Sequence, residues 1–204
     1  QVKNVATDAA VRRFWAAVII AFLPAAFVGL AFHHYITEYL FNSVTVACSL
    51  IVGGIIMWWI EGVAFKPRTL AFEQITLKQA LAIGCAQLCA LIPGVSRSAS
   101  TIMGGMLTGL DRSTATGFSF FLSIPTLGAA SIYSLLKDLN GVGEHGIVNI
   151  SVGLISSFIV SLLSIGWLLR YISKHNFRGF AVYRIIAGVI ILILSYAGFF
   201  TSAA

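Results

Sequence analysis

In 204 residues the chain carries 58% hydrophobic and only 10% charged side chains, with 13 basic against 7 acidic ones. That is more apolar surface than a soluble domain of this length can bury, which excludes a water-soluble globular protein and leaves lipid as the solvent. The surplus of positive charge lies in short connections between apolar runs, so it reads as a topology signal and nucleic acid is not an expected partner.

The chain opens at Gln1 with neither a Met nor an apolar lead-in, and residues upstream of it are expected. Five apolar runs follow, at 14–32, 43–60, 116–136, 148–169 and 182–200. Each approaches the roughly 20 residues needed to cross a hydrocarbon core of about 30 Å. They predict an all-α polytopic membrane protein forming a single transmembrane domain over 1–204.

The stretch 77–110 departs from this pattern. It holds two shorter apolar pieces separated by Ile92-Pro93-Gly94-Val95-Ser96-Arg97. At about 1.5 Å per residue neither piece can cross a bilayer. A Pro-Gly break followed by an arginine would be costly against lipid and is tolerated only beside protein or a wet cavity. The expectation is a re-entrant helix pair with its tip in a cavity, rather than two tilted full spans.

Loop charges set the orientation. Lys3, Arg12 and Arg13, then Lys66, Arg68 and Lys78, then Arg170, Lys174, Arg178 and Arg184 belong on the cytoplasmic side by the positive-inside rule. Glu38, and Lys137 with Asp138 and Glu144, fall opposite. Cys48, Cys85 and Cys89 sit inside apolar segments without metal or redox spacing, so packing is their expected role.

Chemistry concentrates in Pro93-Gly94-Val95-Ser96-Arg97-Ser98-Ala99-Ser100-Thr101. Pro-Gly ends one helix and turns the chain, and Ser96 or Ser98 can cap the next, whose first amides and dipole favour an anion. Arg97 adds a planar donor suited to phosphate oxygens. Thr101, four residues on, falls near the same helix face, so its hydroxyl is a further candidate contact. Against this stands a plain reading in which the serines cap a broken helix and Arg97 extends to a lipid headgroup. Four hydroxyls and an arginine in one short stretch favour the anion site.

These residues resemble the PGxSRSxxT signature of the undecaprenyl-diphosphate phosphatases, the bacitracin-resistance type. Gln87 is similar to the glutamine that precedes that signature, and Ser119-Phe120-Phe121-Leu122-Ser123-Ile124-Pro125-Thr126 to the stretch that follows it. Leu50-Ile51-Val52-Gly53-Gly54 and Tyr183-Arg184-Ile185 resemble two further family segments. The resemblance implies an inner-membrane hydrolase, open to the periplasmic side, that converts undecaprenyl diphosphate to the monophosphate carrier for cell-wall synthesis. It implies a bundle of two inverted repeats, a divalent cation (Mg or Ca), and a possible homodimer. In that reading Arg97, Ser96 and Thr101 are the catalytic set, with Pro93, Gly94, Ser98 and Gln87 binding substrate.

The family's other signature, an EGxTEFLPVSSxGH-like acidic segment, has no counterpart in these residues. Glu38, Glu61, Glu73 and Glu144, with His33, His34, His145 and His175, lie at loops or span ends and read as solvated or interfacial. The expectation is that Gln1 lies after that segment, and that nucleophile, general base and metal ligands are outside this chain. A transporter or flippase on a similar scaffold, and a non-catalytic polyprenyl-phosphate binder, remain alternatives at this point, since both would keep Arg97 and the hydroxyls.

Overall fold

The structure, a computed structural model, describes residues 9–63, 67–137, 146–172 and 175–199. Lys3, Lys66, Asp138, Glu144, His145 and Lys174, used above as loop markers, lie outside the described residues. The elements in order are α1 (Ala9–Ala31), α2 (His33–Tyr35) with a π-helical turn (Ile36–Leu40), and α3 (Ser43–Gly62). There follow α4 (Leu77–Gln87), extended by a 3-10 turn (Leu88–Leu91), α5 (Arg97–Leu107), α6 (Arg112–Lys137), α7 (Gly146–Ile172) and α8 (Arg178–Tyr196).

Five of these, α1, α3, α6, α7 and α8, are long and apolar enough to cross a membrane. The protein is an all-helical, multi-pass membrane protein. Its surface carries the matching signature: Phe27, Leu30, Leu154, Phe158, Leu163 and Ile193 are exposed, as lipid contact requires. Pro24 and Pro125 lie inside α1 and α6, where spanning helices tolerate proline because neighbouring groups re-satisfy the freed carbonyl.

Helices α4 and α5 form a hairpin whose two ends meet. Thr76 caps α4 reciprocally with Gln79, and the Gln79 amide reaches across to Thr69 Oγ1 and the Thr108 carbonyl, each at 3.0 Å. Thr69 pairs with Leu110 in an isolated bridge. Each helix has 11 residues and so rises only about 16 Å. The start of α4 and the end of α5 thus lie beside one another, and the two helices are joined by a turn at Pro93–Ser96.

Close crossings hold the hairpin in place. The Gly84 position lies so near α1 that an added Cβ would stand 2.5 Å from the Ala21 carbonyl oxygen, and one on Gly104 would stand 2.5 Å from the Ala86 Cβ. Small residues let helix backbones approach where no hydrophobic effect drives association in lipid. A core of Phe14, Val18, Ile83, Ile102, Phe118 and Leu122 fills the space between α1, α4, α5 and α6.

Helices α3 and α8 make a second, antiparallel pair. Ser43 and Ser195 share a 2.9 Å hydrogen bond at one end, and the Arg178 guanidinium sits over the Trp58 ring at 5.4 Å at the other. Gly54 and Gly188 make the contact possible: a Cβ on either would meet a backbone oxygen of the facing helix, Ala181 at 2.9 Å and Ala47 at 2.8 Å.

Two expectations are corrected. Cys48, Cys85 and Cys89 are free and exposed on outward helix faces rather than packed inside; the inward stripe of α4 is Ala80, Ile83, Gly84 and Gln87, which Cys85 misses. Glu61 is not solvated: its side chain is 1% exposed and ion-paired to Arg112. His34 and Glu38 are exposed and pair with each other at 3.2 Å, and Glu73 and His175 are also exposed.

Candidate functional site

The tip of the hairpin is shaped by backbone geometry. Gly94 has φ +94°, and a Cβ there would lie 2.5 Å from the Val46 carbonyl oxygen of α3. Only glycine supplies both the left-handed conformation and the clearance. Two residues on, Ser96 also has positive φ, 72°, a conformation that costs a non-glycine residue about 1–3 kcal/mol and is retained where the surroundings over-determine it. Ser96 is the cap of α5: its Oγ accepts from the Ala99 amide at 3.3 Å.

Arg184 is the group that over-determines the tip. Its Nη2 donates to the carbonyls of Gly94 at 2.9 Å and Val95 at 2.8 Å. The residue is 6% exposed and passes over Gly53, where a Cβ would stand 2.5 Å from Nη2. Loop charges alone assign Arg184 to a cytoplasmic loop as a topology charge. The structure puts it inside α8, buried against α3 and the tip, because α8 starts at Arg178 and its close contact with Gly53 and Gly54 of α3 turns Arg184 inward.

Arg97, the first residue of α5, is held from the other side. Its Nη1 donates to the Ser119 carbonyl of α6 at 2.9 Å. Below it Thr101 Oγ1 and Ser119 Oγ lie 2.7 Å apart, and Thr101 Oγ1 also donates toward its own helix at the Arg97 and Ser98 carbonyls. Thr101 is 1% exposed. It ties α5 to α6 behind Arg97, and its hydroxyl does not line the cleft.

Ser96, Arg97, Ser98, Ser119 and Arg184 together line a cleft of about 370 Å³ between α3, α5, α6, α7 and α8. The rest of the lining is mostly apolar, with Met57, Ile102, Met103, Leu168, Ile172 and Phe177 beside Thr116 and Tyr183. Ser96 and Ser98 are exposed, with their hydroxyls 3.3 Å apart. Pro93 and Gly94 shape the turn without lining the cleft. Gln87 is 2% exposed on the inner face of α4, away from the lining. Sequence reasoning missed Ser119 and Arg184 as parts of the site, although both stand within segments it had singled out.

The cleft presents two guanidinium groups, hydroxyls and the start of a helix, all suited to negative charge. A divalent cation is a poor fit to the same groups. Among the described residues no three His, Cys, Asp or Glu side chains gather in a metal-binding group, and two arginines in the lining oppose a second positive charge. No chemical step is therefore assigned to a metal held by these residues.

Together the helices, the broken hairpin and the arginine-bearing cleft define a multi-pass membrane protein with a cationic cleft at a helix start. The chain belongs to the bacitracin resistance protein BacA family, whose sequence model matches residues 1–190. It is 47% identical over 199 residues to the undecaprenyl-diphosphatase of Deinococcus radiodurans, an alignment spanning 97% of this chain and 73% of that protein. It is likewise 46% identical over 200 residues to the undecaprenyl-diphosphatase of Deinococcus deserti (97% and 73%), and 46% identical over 186 residues to that of Methylobacillus flagellatus (89% and 69%).

Proposed function

We propose that the chain acts as an undecaprenyl-diphosphate phosphatase, hydrolysing the lipid diphosphate to its monophosphate and inorganic phosphate and so recycling the carrier for cell-wall synthesis. The supporting observation is the cleft itself, which sets two arginines and several hydroxyls within a mostly apolar lining. A prenyl diphosphate combines the same two characters. Its charged oxygens suit Arg97, the capped start of α5 and the hydroxyls of Ser96 and Ser98; its first prenyl units suit Met57, Leu168, Ile172 and Phe177.

In this reading Arg97 is a catalytic residue that binds the diphosphate and offsets the charge that develops as the anhydride bond breaks. The α4–α5 hairpin is re-entrant and carries the site toward the bilayer interior. Water adds to the terminal phosphorus, the bridging P–O bond breaks, and the lipid leaves as its monophosphate. The described residues supply binding and orientation; arginines and hydroxyls hold charge but do not by themselves activate water. The basic end of the bundle, with Arg12, Arg13, Arg68 and Arg178, faces the cytoplasm, and the tip, one hairpin length away, opens toward the periplasmic side of the inner membrane.

The test is phosphate release from undecaprenyl diphosphate by the full-length protein purified in detergent, with and without a chelator. Saturable release that Arg97→Ala abolishes is the expected result. Binding of the diphosphate without any release would overturn the hydrolytic reading.

A further inference from the structure

The buried carboxylate of Glu61 has no part in the reading above. It lies at the C-terminal end of α3 and receives three hydrogen bonds: from Arg112 Nε at 3.0 Å, from Arg112 Nη2 at 2.6 Å, and from the Phe177 amide at 3.2 Å. Arg112 is the first residue of α6, and Phe177 caps α8. One side chain therefore fastens the starts of two helices to the end of a third.

The positions reached from those two starts are the ones that hold the tip. Two helical turns beyond Arg112 along α6 stands Ser119, whose carbonyl receives Arg97. Two turns beyond Phe177 along α8 stands Arg184, which clamps Gly94 and Val95. Positions two turns apart share a helix face. Fixing the first residue in height and rotation therefore fixes the height and rotation of the later one, where α6 meets Arg97 of α5 and α8 meets the tip.

We infer that Glu61 is a positioning residue: by pinning α6 and α8 in register, it sets the Ser119 and Arg184 groups that hold Arg97 and the Gly94–Val95 turn in their working geometry. The carboxylate suits this task for two reasons. Its two oxygens match the guanidinium fork of Arg112, and its negative charge lies where the amide end of α8 favours an anion. The inference rests on the phosphatase reading for its kinetic arm and is independent of that reading for its structural arm.

The test compares Glu61→Gln and Glu61→Asp in the full-length protein, on a background with Cys48, Cys85 and Cys89 replaced and Val95→Cys as a reporter at the tip. Glutamine keeps an acceptor for Phe177 but loses the charge-assisted fork. The expected result is a kcat lower by about 10- to 100-fold, the scale of a misplacement near 1 Å. KM should change little, and the reporter should react faster with a small thiol reagent. Aspartate should recover part of both. Arg112→Lys, which keeps the charge but not the fork, should act in the same direction and substitutes if Glu61→Gln does not fold.

A Glu61→Gln protein that is less stable, yet unchanged in kcat and reporter rate per folded molecule, would overturn the inference. So would a fall in kcat with no change at the tip. If the unaltered protein releases no phosphate, the phosphatase reading fails instead, and the reporter rates still decide whether Glu61 controls the tip.

Discussion

Replacing Gly53 by alanine separates the site from the fold on which it is built. The new Cβ would stand 2.5 Å from Arg184 Nη2 and 3.3 Å from Cζ, with the Val95 carbonyl oxygen next at 3.7 Å. The obstacle is thus the far end of a flexible side chain, which can move aside while α3 and α8 stay in contact. What is lost is the clamp on Gly94 and Val95, two hydrogen bonds from a charged group, each worth about 1.5–3 kcal/mol. What is gained is the helical preference of alanine over glycine, about 1 kcal/mol. The net loss of about 2–5 kcal/mol falls on the tip, where Ser96 is held in a left-handed conformation. Expected outcomes are phosphate release reduced by about 30-fold or more and a small change in thermal midpoint in detergent. Gly54→Ala is the contrasting case: its Cβ would meet the Ala181 backbone oxygen at 2.9 Å and Ile185 at 2.7 Å, so the helix pair must separate and the midpoint should fall markedly. Normal turnover by Gly53→Ala, or equal thermal losses for both variants, would refute the clamp as the cause.

Arg97→Ala should abolish phosphate release while the protein remains folded, and Arg97→Lys should recover little, because an ammonium cannot both reach the Ser119 carbonyl and present a planar fork to phosphate; near-normal rates with alanine would remove Arg97 from the site. Thr101→Val keeps the side-chain shape but leaves the Ser119 hydroxyl without its buried partner, at a cost of about 1–3 kcal/mol. Turnover and stability should both fall, and Thr101→Ser should restore them. Equal loss with serine would show that the methyl group's packing matters rather than the hydroxyl.

The five spans, the short broken hairpin and the cap at the start of α5 were all legible along the chain, because each depends on neighbouring residues. Span length follows from the apolar run a bilayer requires; the hairpin follows from pieces too short to cross; the cap at Ser96 follows from a hydroxyl just ahead of a helix. Partnerships between distant positions were not legible. Arg184 looked like a loop cation because it stands near other basic residues, and only the Gly53–Gly54–Gly188 contact of α3 with α8 turns it inward onto the tip. Glu61 looked interfacial for a similar reason. Its partners, Arg112 and Phe177, are 51 and 116 residues away, and nothing in local periodicity specifies them. A buried charge is stable only with its counter-charge and hydrogen bonds in place. Which polar residues line the surface, and which are enclosed, is thus decided when the helices pack.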